Sequence, residues 1–250
     1  MPTHTPTLAV AGTVATLALQ RPLQANRLEP QDLHALAAHL AAVDADPAVR
    51  VLLLRAQGRH FCSGFDVGQV DAAHVAAFEA VVERVHAARP VTIVVLQGGV
   101  YGGATDLALA CDFRIGSPAT ALAMPAARLG LHFYRSGLER YVTRLGVDAA
   151  KRLFLTAERI DAAEMKAIGF LTHLVPAAEL DACAAAVAAQ VCALAPLAVQ
   201  GMKRHLDRIA SGRLDGQALA RDFAACLGSA DLQEGLAAFA QKRTPRFEGR

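Results

Sequence analysis

Two short apolar runs constrain this chain most: VRVLLLRA over residues 49–56 and VTIVVLQG over 91–98. Neither alternates polar with apolar, and both are rich in branched residues, so each reads as a strand covered on both faces. Between them AAHVAAFEAVVERVHAAR carries apolar residues at helical spacing and stops at Pro90. Strand, helix, strand in this order predicts a βαβ unit in a parallel sheet with helices packed on it.

The flanking segments extend this pattern. TLAVAG and TVATLALQ read as a strand pair meeting near Ala11-Gly12, and EPQDLHALAAHLAAVDAD as a helix with Pro30 at its start. GRHFCSGFD reads as a loop, ATDLALAC as a helix behind Gly102-Gly103, DFRIGSP as a short strand and turn, and GLHFYRSGLER as a loop. Beyond about Val147 nearly every segment has helical spacing, with no Gly/Ser-rich linker before it. With 250 residues, 54% of them hydrophobic, the chain can bury a large core.

Several function classes are disfavoured. The net charge is +2, without a basic block, which gives no support for nucleic acid. The five cysteines, at 62, 111, 183, 192 and 226, are scattered and lack CxxC spacing, which fits reduced thiols. No His/Cys cluster has zinc spacing, so no metal site is expected. There is no basic leader before an apolar run and no stretch of about 18 apolar residues, so a cytoplasmic protein is expected.

Two loops follow the buried strands, and each has a glycine beside a helix start: CSGFD and VYGGATD. Ligands of α/β sheets gather at strand ends, and glycine lets backbone approach them closely. The glycine spacing fails the dinucleotide pattern, a P-loop Gly-Lys-Ser/Thr is absent, and Ser63 lacks the first glycine of a nucleophile elbow. What remains is one backbone N–H from each loop, converging on a carbonyl oxygen as an oxyanion hole.

HFCSGFD, GGVYGGATDLALACDFRIG, MPAARLGL, LGVDAAKRLFLTAERIDAAEMKAIGFLTHLV and the closing LQEGLAAFAQKRTPRFEGR together resemble the crotonase (enoyl-CoA hydratase/isomerase) superfamily over essentially the whole chain. The resemblance implies an α/β fold: a crotonase-like ββα spiral core over residues 1–195 that binds acyl-CoA, and a C-terminal α-helical trimerisation region over 196–250. It implies an acyl-CoA thioester substrate, no cofactor beyond the coenzyme A of that substrate, no nucleic-acid or membrane partner, and a homotrimer or dimer of trimers.

Carried over residue by residue, the resemblance makes Phe65 and Gly103 the oxyanion N–H donors, with Ser63, Gly64, Asp66 and Gly102 around them. Asp106 matches the first catalytic carboxylate. An acid at a helix start also complements the helix dipole, which is the competing structural reading. The second hydratase carboxylate should follow Pro125, and Ala126 stands there. Two carboxylates share the work of hydration in that family, so Ala126 favours isomerase-like chemistry with Asp106 as single acid/base.

Tyr134, His132 and Arg135 are candidates to replace the missing group, Tyr134 as a proton donor and Arg135 as a clamp on an acidic acyl group. Arg59 is a candidate contact to the nucleotide part of coenzyme A. Phe239 and Lys242 resemble positions that reach a neighbouring subunit's coenzyme A site. The alternatives are a catalytically silent acyl-CoA-binding protein, and a decarboxylase or thioester hydrolase of the same fold.

Overall fold

The computed structural model describes residues 4–66, 68 and 71–250. The first three residues of the expected core, and 67, 69 and 70 within it, lie outside the described residues.

A hairpin opens the fold, with β1 (Thr7–Ala11) antiparallel to β2 (Val14–Leu19). Helix α1 (Pro30–Ala45) starts behind a reciprocal pair, in which Glu29 and Asp32 each accept the other's backbone N–H. It returns the chain to β3 (Val51–Ala56), parallel to β2, and α2 (Ala72–His86) leads to β4 (Val91–Leu96), parallel to β3. The expected βαβ units are therefore present. With β6 (Phe113–Gly116) and β9 (His173–Leu174) they form a six-stranded sheet in the order β1-β2-β3-β4-β6-β9.

The continuous apolar runs now have a physical reason. Along β3, Leu52 and Leu54 face the main core, while Val51 and Leu53 face a second one. The second core is closed by Leu180, Ala184 and Val187 of α7 (Leu180–Cys192). Both sheet faces are covered, so both sets of side chains are apolar.

After β4 the chain leaves this sheet. β5 (Gly99–Tyr101), β7 (Ala121–Ala123) and β8 (Arg159–Asp161) make a three-stranded sheet, with α3 (Gly103–Leu109) rising from β5. The small sheet delivers the second glycine loop to the end of the first.

Three parts of the structure differ from the sequence reading. β8 and β9 interrupt the stretch read as helical; they hold three and two residues, too few to show alternation. The segment read as the loop GLHFYRSGLER contains the start of α4 (Arg135–Leu145), where Leu138, Tyr141 and Leu145 follow helical spacing. β5, another three-residue strand, precedes Gly102-Gly103.

α5 (Val147–Thr156) and α6 (Ala162–Ala167) pack on the core side. The chain closes with α8 (Pro196–Ala210), α9 (Gly216–Leu227) and α10 (Ala230–Gln241). Met202, Leu206, Ile209 and Phe223 of α8 and α9 are exposed. Among the described residues no single helix is long and apolar enough to cross a membrane.

Candidate active site

The first glycine loop is held by a short parallel bridge between Leu28 and Phe65. Leu28 N–H donates to the Gly64 carbonyl and Asp66 N–H donates to the Leu28 carbonyl, both at 2.9 Å. Because these two bonds flank Phe65 on one side, its own N–H is turned to the other. Gly64 has φ +94°, and a Cβ there would lie 2.9 Å from the Tyr101 carbonyl oxygen and 3.2 Å from the Gly103 nitrogen. The two loops therefore touch, and a side chain at Gly64 would push them apart.

The second loop is equally fixed. Gly102 N–H donates to the Ala123 carbonyl at 3.0 Å, and the Gly102 carbonyl accepts from Thr105 N–H and from Thr105 Oγ1. Gly103 is the first residue of α3, where an N–H has no partner within the helix. Its lack of a side chain has a second cause: a Cβ would meet the Phe78 ring at 2.8 Å. Among the described residues neither Phe65 N–H nor Gly103 N–H has a backbone acceptor outside regular structure.

A cavity of about 110 Å³ lies at this junction, lined by Ser63, Gly64, Phe65, Gly102, Gly103 and Tyr134 with apolar side chains around them. Ala126 also lines it, on a turn of 3-10 helix after Pro125. The expected position of a second carboxylate thus faces the cavity and is filled by a methyl group.

Asp106 lies behind this cavity. It sits in the first turn of α3 and is fully buried. Arg140 Nη1 of α4 donates to both of its carboxylate oxygens at 2.6 Å, and Tyr134 Oη donates to Oδ2 at 2.6 Å. Arg140 Nη2 is paired with Glu83 of α2. Burial works against the charge of Arg140, but Asp106 and then Glu83 outweigh it, so the guanidinium holds its proton more firmly than usual. Burial, then the neighbouring Asp106 charge, pushes the Tyr134 phenol above its ordinary value, so it stays protonated as a donor. Tyr134 is thus the group through which Asp106 meets the cavity.

The other candidates are dispersed. Asp66 accepts from Gly68 N–H at 3.1 Å and lies 3.5 Å from Arg27, outside the cavity lining. Arg135 is 89% exposed and paired with Glu139 at 2.6 Å, away from the lining. Arg59 is exposed on the loop after β3. His132 is on the rim, its Nδ1 within 2.8 Å of the Phe133 carbonyl oxygen. Phe239 is exposed and Lys242 ends α10 in a left-handed conformation.

Arg140 and Glu83 escaped the sequence reading. An arginine between Leu138 and Tyr141, on a segment with helical spacing, was the available signal for the first. Glu83 carries no local signal. Among the described residues no group of three or more His, Cys, Asp or Glu side chains could hold a metal ion.

A ββα spiral with its cavity between two glycine loops is the crotonase fold. The crystal structure of enoyl-CoA hydratase from Bacillus anthracis superposes with a TM-score of 0.92 at 28% identity, covering 98% of this chain and 100% of that one. The family model described as enoyl-CoA hydratase/isomerase matches residues 10–250. The chain belongs to the enoyl-CoA hydratase/isomerase family. Among its relatives, the human mitochondrial enoyl-CoA hydratase domain-containing protein 2 is 32% identical over 255 residues, covering 95% of this chain and 86% of that protein. Carnitinyl-CoA dehydratase from Proteus mirabilis is 31% identical over 257 residues, covering 97% and 98%.

Proposed function

We propose that the protein processes an acyl-CoA thioester through an enolate, with isomerase-like proton transfer rather than efficient hydration. The observation that carries this reading is the junction of the two loops, where Phe65 N–H and Gly103 N–H stand beside the apolar cavity without a backbone acceptor among the described residues. The thioester oxygen accepts from both donors. Charge that moves onto this oxygen when a proton leaves the adjacent carbon is stabilised by about 3–4 kcal/mol per donor.

The proton is handled by Tyr134 and Asp106 together. Tyr134 oxygen takes the proton from carbon as its own proton passes to Asp106 Oδ2, 2.6 Å away. The reverse transfer places a proton on the other end of the enolate, and the double bond moves. Hydration needs a second group to activate water, and Ala126 supplies none.

Exchange of the α and γ protons of an enoyl-CoA with deuterated water, followed by mass spectrometry, tests this reading. Asp106→Asn is expected to slow exchange by about 10²–10⁴-fold. Exchange that persists unchanged in that variant overturns the assignment of Asp106.

One feature favours a second reading, a silent acyl-CoA binder: Arg140 occupies both oxygens of Asp106. Thioester binding with no exchange in the wild-type protein would decide for it. The same family reading makes the chain a homotrimer or a dimer of trimers, which the exposed apolar faces of α8 and α9 support.

A further inference from the structure

We infer that Asn26 is the positioning residue of the first glycine loop, holding Phe65 N–H where the thioester oxygen accepts it. This rests on the oxyanion reading above and gives one of its two donors a support outside both loops.

The starting observation is backbone strain. Among the described residues four non-glycine residues have a positive φ, and two of them are neighbours: Ala25 at +49° and Asn26 at +52°. L-residues visit this left-handed region singly, because Cβ then crowds the following carbonyl oxygen. Two in a row persist only where the surroundings over-determine them, and such places cluster at functional sites. Asn tolerates this conformation better than most residues, but that does not explain what its side chain holds.

Asn26 is 1% exposed. Its Nδ2 donates to the Gln57 carbonyl at 2.8 Å and to the His60 carbonyl at 2.9 Å, and its Oδ1 accepts Arg21 N–H at 2.9 Å. Two acceptors and one donor leave the amide a single orientation. Gln57 and His60 lie between β3 and Phe65, so the side chain grips the approach to the loop. The backbone around Asn26 grips the loop itself. Ser63 N–H donates to the Ala25 carbonyl at 2.9 Å, and Cys62 S–H donates to the Asn26 carbonyl at 3.0 Å. Leu28 flanks Phe65 with the two bonds described above. Residues 25–28 are thus the template on which residues 62–66 are laid.

The second donor has a different support. Gly103 N–H is fixed by its place in α3 and by the bond from Gly102 N–H to the Ala123 carbonyl. Tyr101 N–H donates to the Cys62 carbonyl at 3.0 Å, which keeps the loops adjacent, but of the two loops the hydrogen bonds of Asn26 reach only the first. The His60 carbonyl also accepts from Gln97 Nε2 at 3.1 Å, so the start of this loop stays attached when Asn26 is changed.

Asn26→Gly separates the two roles of the residue: glycine adopts the left-handed backbone freely and lacks the amide. The readout is infrared difference spectroscopy of butenoyl-CoA, isotope-labelled at the thioester carbonyl and bound to the full chain. A carbonyl that accepts from both donors is polarised, and its stretch falls below that of the free thioester. In Asn26→Gly this fall should shrink to about half, one donor of two being displaced. Exchange of the α proton should slow by about 10²-fold, as for the loss of one oxyanion donor, with affinity for butenoyl-CoA kept close to wild type. Cys62→Ala, which removes the S–H tie, is the milder variant should the first fail to fold, and is expected to act in the same direction. Leu40→Ala, a core truncation in α1, controls for lost stability and should keep the full fall in frequency.

A wild-type fall in folded Asn26→Gly, or in Cys62→Ala should the first not fold, leaves Asn26 a purely structural residue and overturns the inference while the oxyanion reading stands. An equal loss in Leu40→Ala overturns it too. If the wild-type protein does not lower the carbonyl frequency at all, the oxyanion reading and the inference fall together.

Discussion

The two sides of helix α3 are opposites. In front, the cavity is walled chiefly by aromatic and aliphatic side chains. Behind, buried Asp106 and Arg140 join half-exposed Glu83 in an ionic cluster beside a second cavity of about 50 Å³ that His86 also lines. Among the described residues Tyr134 is the one side chain in both: it lines the front cavity and its hydroxyl reaches the rear cluster. On the proposed reading, the contrast divides binding and proton storage between separate environments. A carboxylate placed directly in the apolar cavity would lose solvation with no partner, whereas one behind it has a guanidinium and a phenol.

The most severe way to break this division is Arg140→Leu. Asp106 would remain buried without its counterion, which costs about 3–5 kcal/mol for an orphaned buried charge. Urea denaturation should show that loss, and a stability within error of wild type would mean the cluster is not what holds Asp106. Tyr134→Phe cuts the link instead of the cluster. It removes a hydrogen bond to a charged group, with an expected loss of about 1.5–3 kcal/mol. Proton exchange should also slow by about 10²-fold, with thioester binding retained. Unaltered exchange would place Asp106 in direct contact with substrate and remove the division.

The most gradual effect, spread over more than two pH units, concerns pH at the rear. Burial first, then the charges of Arg140 and Arg144, push His86 down from 6.5 to about 4. Its Nδ1 is buried with no hydrogen-bond partner among the described residues. The unfolded chain takes up this proton below pH 6.5 and the folded one only near pH 4. Stability contributed by neutral His86 is therefore present above 6.5 and lost as pH falls toward 4, by at most about 1.4 kcal/mol per pH unit. His86→Gln should flatten the denaturation midpoint over that range; an identical slope in the variant would assign the acid sensitivity elsewhere.

The front of α3 was far more legible in the sequence than the back. The strands Val51–Ala56 and Val91–Leu96 announce themselves because both faces are buried, and local glycines mark the loops that follow. Ala126 could be placed from its distance to Pro125 within a family pattern. The rear cluster depends on residues 34 and 57 positions apart, brought together only by the packing of α2, α3 and α4. No local periodicity encodes such a pairing. The strands β5, β8 and β9 were hidden for a different reason: with two or three residues each, their identity comes from the partners they pair with. Arg135 shows the converse error, in which the right residue type near the site in sequence points out to Glu139.

Helix α3 is seven residues long, and Gly103 and Asp106 share its first turn. Its far end is gripped as well: the Cys111 carbonyl accepts from Arg114 at 2.6 Å and from Arg144 at 2.8 Å. Gly103 N–H and the Asp106 carboxylate are thus mounted on one rigid part, and neither can be shifted without displacing the other. Ala126 and Tyr134 belong to a different segment that forms the facing wall. Chemistry in this scaffold can be varied by exchanging side chains on that segment alone, leaving the clamped helix as an invariant mount.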